Sequence, residues 1–148
     1  MSPEMTYSSA NLVAGGGQMI KALKVTMTIW GATALVFGLM YIVNPVYLAG
    51  LVGFGQIADY VRWIMASSGA VLVAVGVWVM VAARDPVRHI NWVRFEITKT
   101  LLFFAVTAGS MVQGYVSFSQ VGWVLIMFAV FAVAFLVLYP RRALRDTQ

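Results

Sequence analysis

Hydrophobic positions along the chain fall into four long blocks, separated by short polar or glycine-rich stretches. The first block, Val25 to Val43, contains no charged residue, and its 19 residues would span roughly 28 Å as a helix, close to the hydrocarbon thickness of a bilayer. Asn44-Pro45 ends it, because proline disfavours helical geometry in the residue before it and cannot donate a backbone hydrogen bond. A second uncharged block covers residues 63 to 83, a third Thr100 to Val116, and a fourth ends at Tyr139-Pro140. The pattern predicts four spanning helices at about 24–43, 59–83, 86–116 and 121–139. Residues 1–20 precede them as a flexible tail, 21–142 form the spanning domain, and 143–148 form a cytoplasmic tail. A helix over 86–116 would be roughly 46 Å long, so its first turns either project beyond the hydrocarbon or break from the spanning part. Asp85 is a good N-cap for it and Pro86 suits the first helical position.

Between the first two blocks, Val46 to Tyr60 is apolar and carries Gly50, Gly53 and Gly55. It is too short to span and too apolar for an ordinary water-exposed loop. A short helix or turn in the outer interface is expected there, with a re-entrant, ligand-lining loop as the alternative. The segment Arg84 to Lys99 joins the two halves and is densely charged. It holds Arg84, Asp85, Arg88, Arg94, Glu96, Lys99 and His89, the sole histidine.

Charge then fixes the expected orientation. With both ends inside, Lys21, Lys24, Arg84, Arg88, Arg94, Lys99, Arg141, Arg142 and Arg145 face the cytoplasm, and only Arg62 lies outside. That is nine against one, a strong positive-inside signal. Tyr41, Tyr47, Tyr60, Trp63, Tyr115 and Trp123 would form the outer aromatic belt, with Trp92 and Tyr139 on the inner one. The expected fold is therefore all-α: an integral membrane, four-helix antiparallel bundle, N-in and C-in.

Composition agrees. Of 148 residues, 61% are hydrophobic and only 10% charged, with mean hydropathy +0.87; a soluble domain carries about 25% charged residues. The net charge of +5 is explained by basic residues at span ends, so no nucleic-acid partner is inferred. The lack of cysteine excludes disulfides, zinc-thiolate sites and cysteine nucleophiles. Gly15-Gly16-Gly17 lacks the lysine and hydroxyl residue of a phosphate-binding loop.

Gly31 and Gly38 in the first span, and Gly69 and Gly76 in the second, are seven apart, which puts each pair on one helical face. Small residues let helices approach closely in lipid. Ala66, Ala70 and Ala74, and then Ala105, Ala108 and Gly109, offer further small positions. These residues read as packing positions within the bundle, with a dimer face as the alternative.

Candidate chemistry is sparse. A charge at the bilayer centre costs about 2.5–3.5 kcal/mol on insertion scales and usually marks function, and no such charge is expected near mid-membrane. Glu96 and Lys99 come nearest, a turn or so inside the third span. They are read as a mutual or inter-helix ion pair, with Lys24 or Arg84 as further partners. The sharper reading makes Arg88, Arg94, Glu96 and Lys99 a contact for an anionic headgroup or a partner. Asp59 and Arg62 can pair at three-residue spacing as an interfacial anchor. His89 reads as an interfacial residue, with axial ligation of a single pigment or haem as the alternative. Gln113 and the hydroxyls of Thr33, Ser67, Ser68, Thr107 and Ser110 are expected to make interhelical hydrogen bonds. No catalytic set or metal cluster is visible, and no cofactor is predicted, although a quinone or pigment is left open.

The Asn44-Pro45 stop, the glycine-rich outer loop, Arg84-Asp85-Pro86 and the Tyr139-Pro140-Arg141 ending resemble the DoxX-like group of small four-helix membrane proteins. The resemblance implies a four-helix bundle in a bacterial inner membrane, tied in some members to redox partners, and supplies no catalytic residues. The expected function is a non-catalytic accessory or structural subunit that packs into or anchors a larger membrane complex, respiratory or redox in kind. Its partners would be membrane lipids and other subunits or copies of itself. A binding or transport protein for a quinone, carotenoid or lipid is the alternative.

Overall fold

The computed structural model describes residues 4–51 and 53–140, with side chains from Gly17 onward. The described chain is all-helical: α1 (Glu4–Val43), α2 (Pro45–Leu51), α3 (Asp59–Ala82), α4 (Ile90–Val112) and α5 (Phe118–Val137). Four stretches are long and apolar enough to cross a membrane: Gly17–Val43 of α1, Asp59–Ala82, Ile90–Val112 and Phe118–Val137. These make the chain an integral membrane protein of the helical kind. The helical backbone of α1 reaches back to Glu4, through residues expected as a tail. The tail after residue 142, and Arg141, Arg142 and Arg145, lie outside the described residues.

Local chemistry explains several of the boundaries, including those the hydropathy pattern misplaces. Asn44-Pro45 both stops α1 and starts α2: the Asn44 Oδ1 accepts the Tyr47 N–H at 3.0 Å, an N-cap with proline in the first helical position. The expected helix over 86–116 is shorter at both ends. Asp85 does accept the Arg88 N–H through its side chain, at 3.2 Å. The chain makes one turn there, and the helix is renewed at Ile90 after His89, whose backbone (φ −103°, ψ 36°) is not helical. The long helix thus breaks rather than projects. At its other end Gly114 adopts φ +74°. The Tyr115 N–H bonds the Ser110 carbonyl and the Gly114 N–H the Met111 carbonyl, each at 3.0 Å. That is a Schellman termination, which requires a left-handed residue and so favours glycine. The last helix starts three residues before its expected position, because Gln120 folds back and its Oε1 accepts the Ser117 N–H at 2.8 Å, one half of a capping box.

Packing follows two kinds of seam. α1 and α3 form one antiparallel pair in close contact, with Gly31 against Gly76 and Gly38 against Gly69. A Cβ on Gly69 would stand 2.6 Å from the Gly38 carbonyl oxygen, and one on Gly76 would stand 2.8 Å from that of Gly31, so the backbones touch with no side chain between them. α4 and α5 form the second antiparallel pair. Aromatic rings connect the pairs: Trp30 of α1 meets Phe128 and Phe131 of α5, Phe37 stacks on Trp123, and Trp78 of α3 stacks on Trp92 of α4 at 6.2 Å. The buried core gathers Leu23, Met27, Trp30, Val79, Val93 and Phe135 at the end where the α3–α4 joint lies. Tyr47, Tyr60, Trp63, Tyr115 and Trp123 are exposed around the opposite end.

Candidate functional site

The most heavily organised polar cluster lies on the first turns of α4. Residues 93, 96 and 100 recur at helical spacing, and Val93, Glu96 and Thr100 are all fully buried. A carboxylate placed there is sustained only if it is paired and hydrogen-bonded, since an isolated buried charge is prohibitively costly. Glu96 meets both conditions. Its Oε2 accepts the indole N–H of Trp30, from the middle of α1, at 2.5 Å. The Lys99 ammonium donates to Oε1 at 2.9 Å and lies 2.6 Å from Oε2, so it bridges both oxygens. The ammonium also stands 5.4 Å from the centre of the Trp30 ring and 5.8 Å from that of Phe95, within cation–π range. Lys99 keeps 13% of its side chain exposed, whereas Glu96 has none.

The other candidates disperse. Arg94 turns away to donate from Nε to the Tyr139 hydroxyl at 2.8 Å, fastening the start of α4 to the residues after α5. Arg88 is exposed on the joint. Arg88, Arg94, Glu96 and Lys99 therefore do not converge on one contact. Neither Lys24 nor Arg84 joins the Glu96 pair; the ion pairs among the described residues are Glu96–Lys99 and the exposed Asp59–Arg62, at 3.3 Å. His89 occupies the N-cap position of α4. Thr33 does not reach another helix, since its hydroxyl bonds the Ile29 carbonyl one turn back at 2.9 Å.

Two residues of the cluster carried no sequence signal of their role. Trp30 lies 66 positions from Glu96, and nothing local marks it as a hydrogen-bond donor rather than a lipid-facing ring. Thr100 is fully buried and its hydroxyl has no hydrogen-bond partner. Beside the cluster, Asn91, Trp92 and Phe95 line a surface groove of about 220 Å³. A second groove, of about 330 Å³, lies at the opposite end between Leu39, Met40, Val43, Asn44 and Tyr47. Among the described residues, no three histidine or acidic side chains gather in a metal-binding group.

No protein-family model matches the chain, and neither a curated protein nor a solved structure does.

Proposed function

We propose that the chain is a non-catalytic accessory or structural subunit that packs into, or anchors, a larger membrane complex. It would lie in a bacterial inner membrane as an antiparallel four-helix bundle with both termini cytoplasmic. One observation carries the reading. Glu96, the single acidic residue of the four spans beyond Asp59 at the start of α3, has its carboxylate filled by Trp30 and Lys99. An embedded carboxylate that moves ions or substrates needs access to a cavity or a pathway. This one is occupied by the chain's own donors, and its bond to Trp30 ties α4 to α1. The embedded charge serves the architecture, and the apolar outer faces are left for lipid or for neighbouring helices. The charge asymmetry across the spans supports the orientation. The DoxX-like layout is compatible with a respiratory or redox complex as host.

Purification from the native membrane in mild detergent, followed by mass spectrometry and an absorption spectrum, tests this. A stoichiometric membrane partner is the expected result. A chain that is always recovered alone, carrying a chromophore or lipid, would replace the reading with that of a carrier for a lipophilic molecule. Orientation is tested separately by single cysteines placed in the cysteine-free chain at Arg84 and Tyr60. The first should be labelled only from the cytoplasmic side and the second only from outside.

A further inference from the structure

We propose that the Glu96 carboxylate, with the faces of Trp30 and Phe95, forms a binding site for an amphiphilic primary ammonium that reaches it from the membrane and competes with the chain's own Lys99. This goes beyond the accessory-subunit reading and does not depend on it, because the whole site lies within one chain.

The argument starts from what each contact does. The Trp30–Glu96 hydrogen bond crosses between α1 and α4 and is rigid, since Trp30 is itself buried. The Glu96–Lys99 bridge crosses nothing, as both residues stand on α4 three positions apart. Its ammonium neutralises the carboxylate, and any cation of similar size in the same place would do so equally well. That place has the composition of an ammonium site: a carboxylate that can accept two N–H donors, one aromatic face at 5.4 Å and a second at 5.8 Å, the chemistry by which proteins recognise organic cations.

Lys99 can leave. Its four-carbon stem is flexible, and its side chain already keeps a path to the exterior. From the tenth position of α4 it can extend towards the membrane surface, as lysines near span ends do. A ligand also has a way in. The groove of about 220 Å³ lined by Asn91, Trp92 and Phe95 shares Phe95 with the cation site, so an alkyl chain in the groove lies one ring from the place of the Lys99 ammonium, and its head group enters as Lys99 swings out. Thr100 supplies the second, independent observation. One turn beyond Glu96 on the same face, its buried hydroxyl is unpartnered and can accept an N–H. An unpaired buried hydroxyl is costly, and a ligand carrying several N–H donors relieves it. That favours a primary ammonium over a quaternary one.

The ammonium could belong to a free amphiphilic amine or to an amine-headed phospholipid, and the test separates these sources. The wild-type chain is placed in nanodiscs of phosphatidylcholine, and the indole N–H resonance of Trp30 is followed by NMR, assigned by its loss in Trp30→Phe. Decylammonium should shift that resonance saturably, and decanol, with the same chain and no charge, should not. A shift on replacing part of the phosphatidylcholine with phosphatidylethanolamine, with no amine added, supports the site and names the lipid as the source. Lys99→Met removes the competitor and should bind decylammonium about tenfold more tightly; Glu96→Gln should lose the saturable shift. Equal shifts by decanol and decylammonium, or none in wild type at saturating amine, overturn the proposal. The wild-type result decides even if a variant fails to fold.

Discussion

The two ways in which α1 meets its neighbours differ in kind. Against α3 it presents Gly31 and Gly38, and the backbones come within contact of one another. Against α4 and α5 it presents Trp30 and Phe37, and the contact is made by rings and by one buried carboxylate. In lipid there is little hydrophobic drive for helices to associate, so each seam needs another source of attraction. The glycine seam draws on van der Waals contact between backbones, spread evenly over two matched pairs. The aromatic seam concentrates its specificity at Glu96. The first should weaken in small steps as side chains are added. The second should fail abruptly when one group is removed.

The largest effect is therefore expected at Glu96. Glu96→Ala leaves the Lys99 ammonium half-enclosed by Trp30 and Phe95 without its anion, and removes the acceptor of the Trp30 indole. Breaking a buried pair from one side costs about 3–5 kcal/mol. The fall should appear as an earlier midpoint in a titration of dodecyl maltoside micelles with dodecyl sulfate, read by tryptophan fluorescence. Glu96→Gln combined with Lys99→Met removes both charges and should recover most of the loss. A double variant no better than Glu96→Ala would show that the pair is not coupled.

Trp30→Phe comes next. It keeps an aromatic ring against Phe131 but deletes the donor to a buried carboxylate, where hydrogen bonds to charged groups contribute about 1.5–3 kcal/mol. If the same titration shows no change, the tie between α1 and α4 rests on ring packing alone.

Gly69→Ala probes the other seam. The added methyl meets the Gly38 carbonyl oxygen at 2.6 Å and the Tyr41 Cβ at 2.8 Å. Neither is the far end of a flexible chain, so the helices must separate. Overpacking of this kind costs about 1–3 kcal/mol. Gly69→Val should cost more than Gly69→Ala, the graded response that distinguishes this seam from the one at Glu96.

What the sequence revealed about these seams follows the range of the interactions. Hydropathy located the spans because a bilayer imposes a length on uncharged runs. The seven-residue spacing put Gly31 with Gly38 and Gly69 with Gly76 because helical periodicity is local. The Glu96–Lys99 spacing likewise brought the two onto one side of α4. Trp30 was out of reach because its partner is distant in sequence and its donor looks no different from that of any interfacial tryptophan. The ends of α4 and α5 were misplaced for another reason. Gly114, and Ser117 with Gln120, end and start these helices through capping chemistry that an average of hydropathy over apolar runs does not register. The break before Ile90 needed the backbone, since Asp85 and Pro86 do start a turn and nothing in their identity says that it lasts only one.

The smallest expected effect is the most diagnostic about what surrounds the protein. Gly109 is a glycine inside a helix like Gly69, yet a Cβ built on it meets no atom within 4 Å. In the isolated chain, Gly109→Ala should be neutral or stabilising by up to about 1 kcal/mol, from the poor helix propensity of glycine. Set beside Gly69→Ala, the same added methyl then has opposite signs at two sites, and the difference measures close approach alone. In the native membrane the expectation changes if another helix covers this part of α4. Gly109→Leu would then leave the midpoint of the purified chain unchanged and still reduce co-purification of the partner. A loss of stability already present in the isolated chain would mean instead that α4 packs more tightly within the bundle than the open space around Gly109 allows.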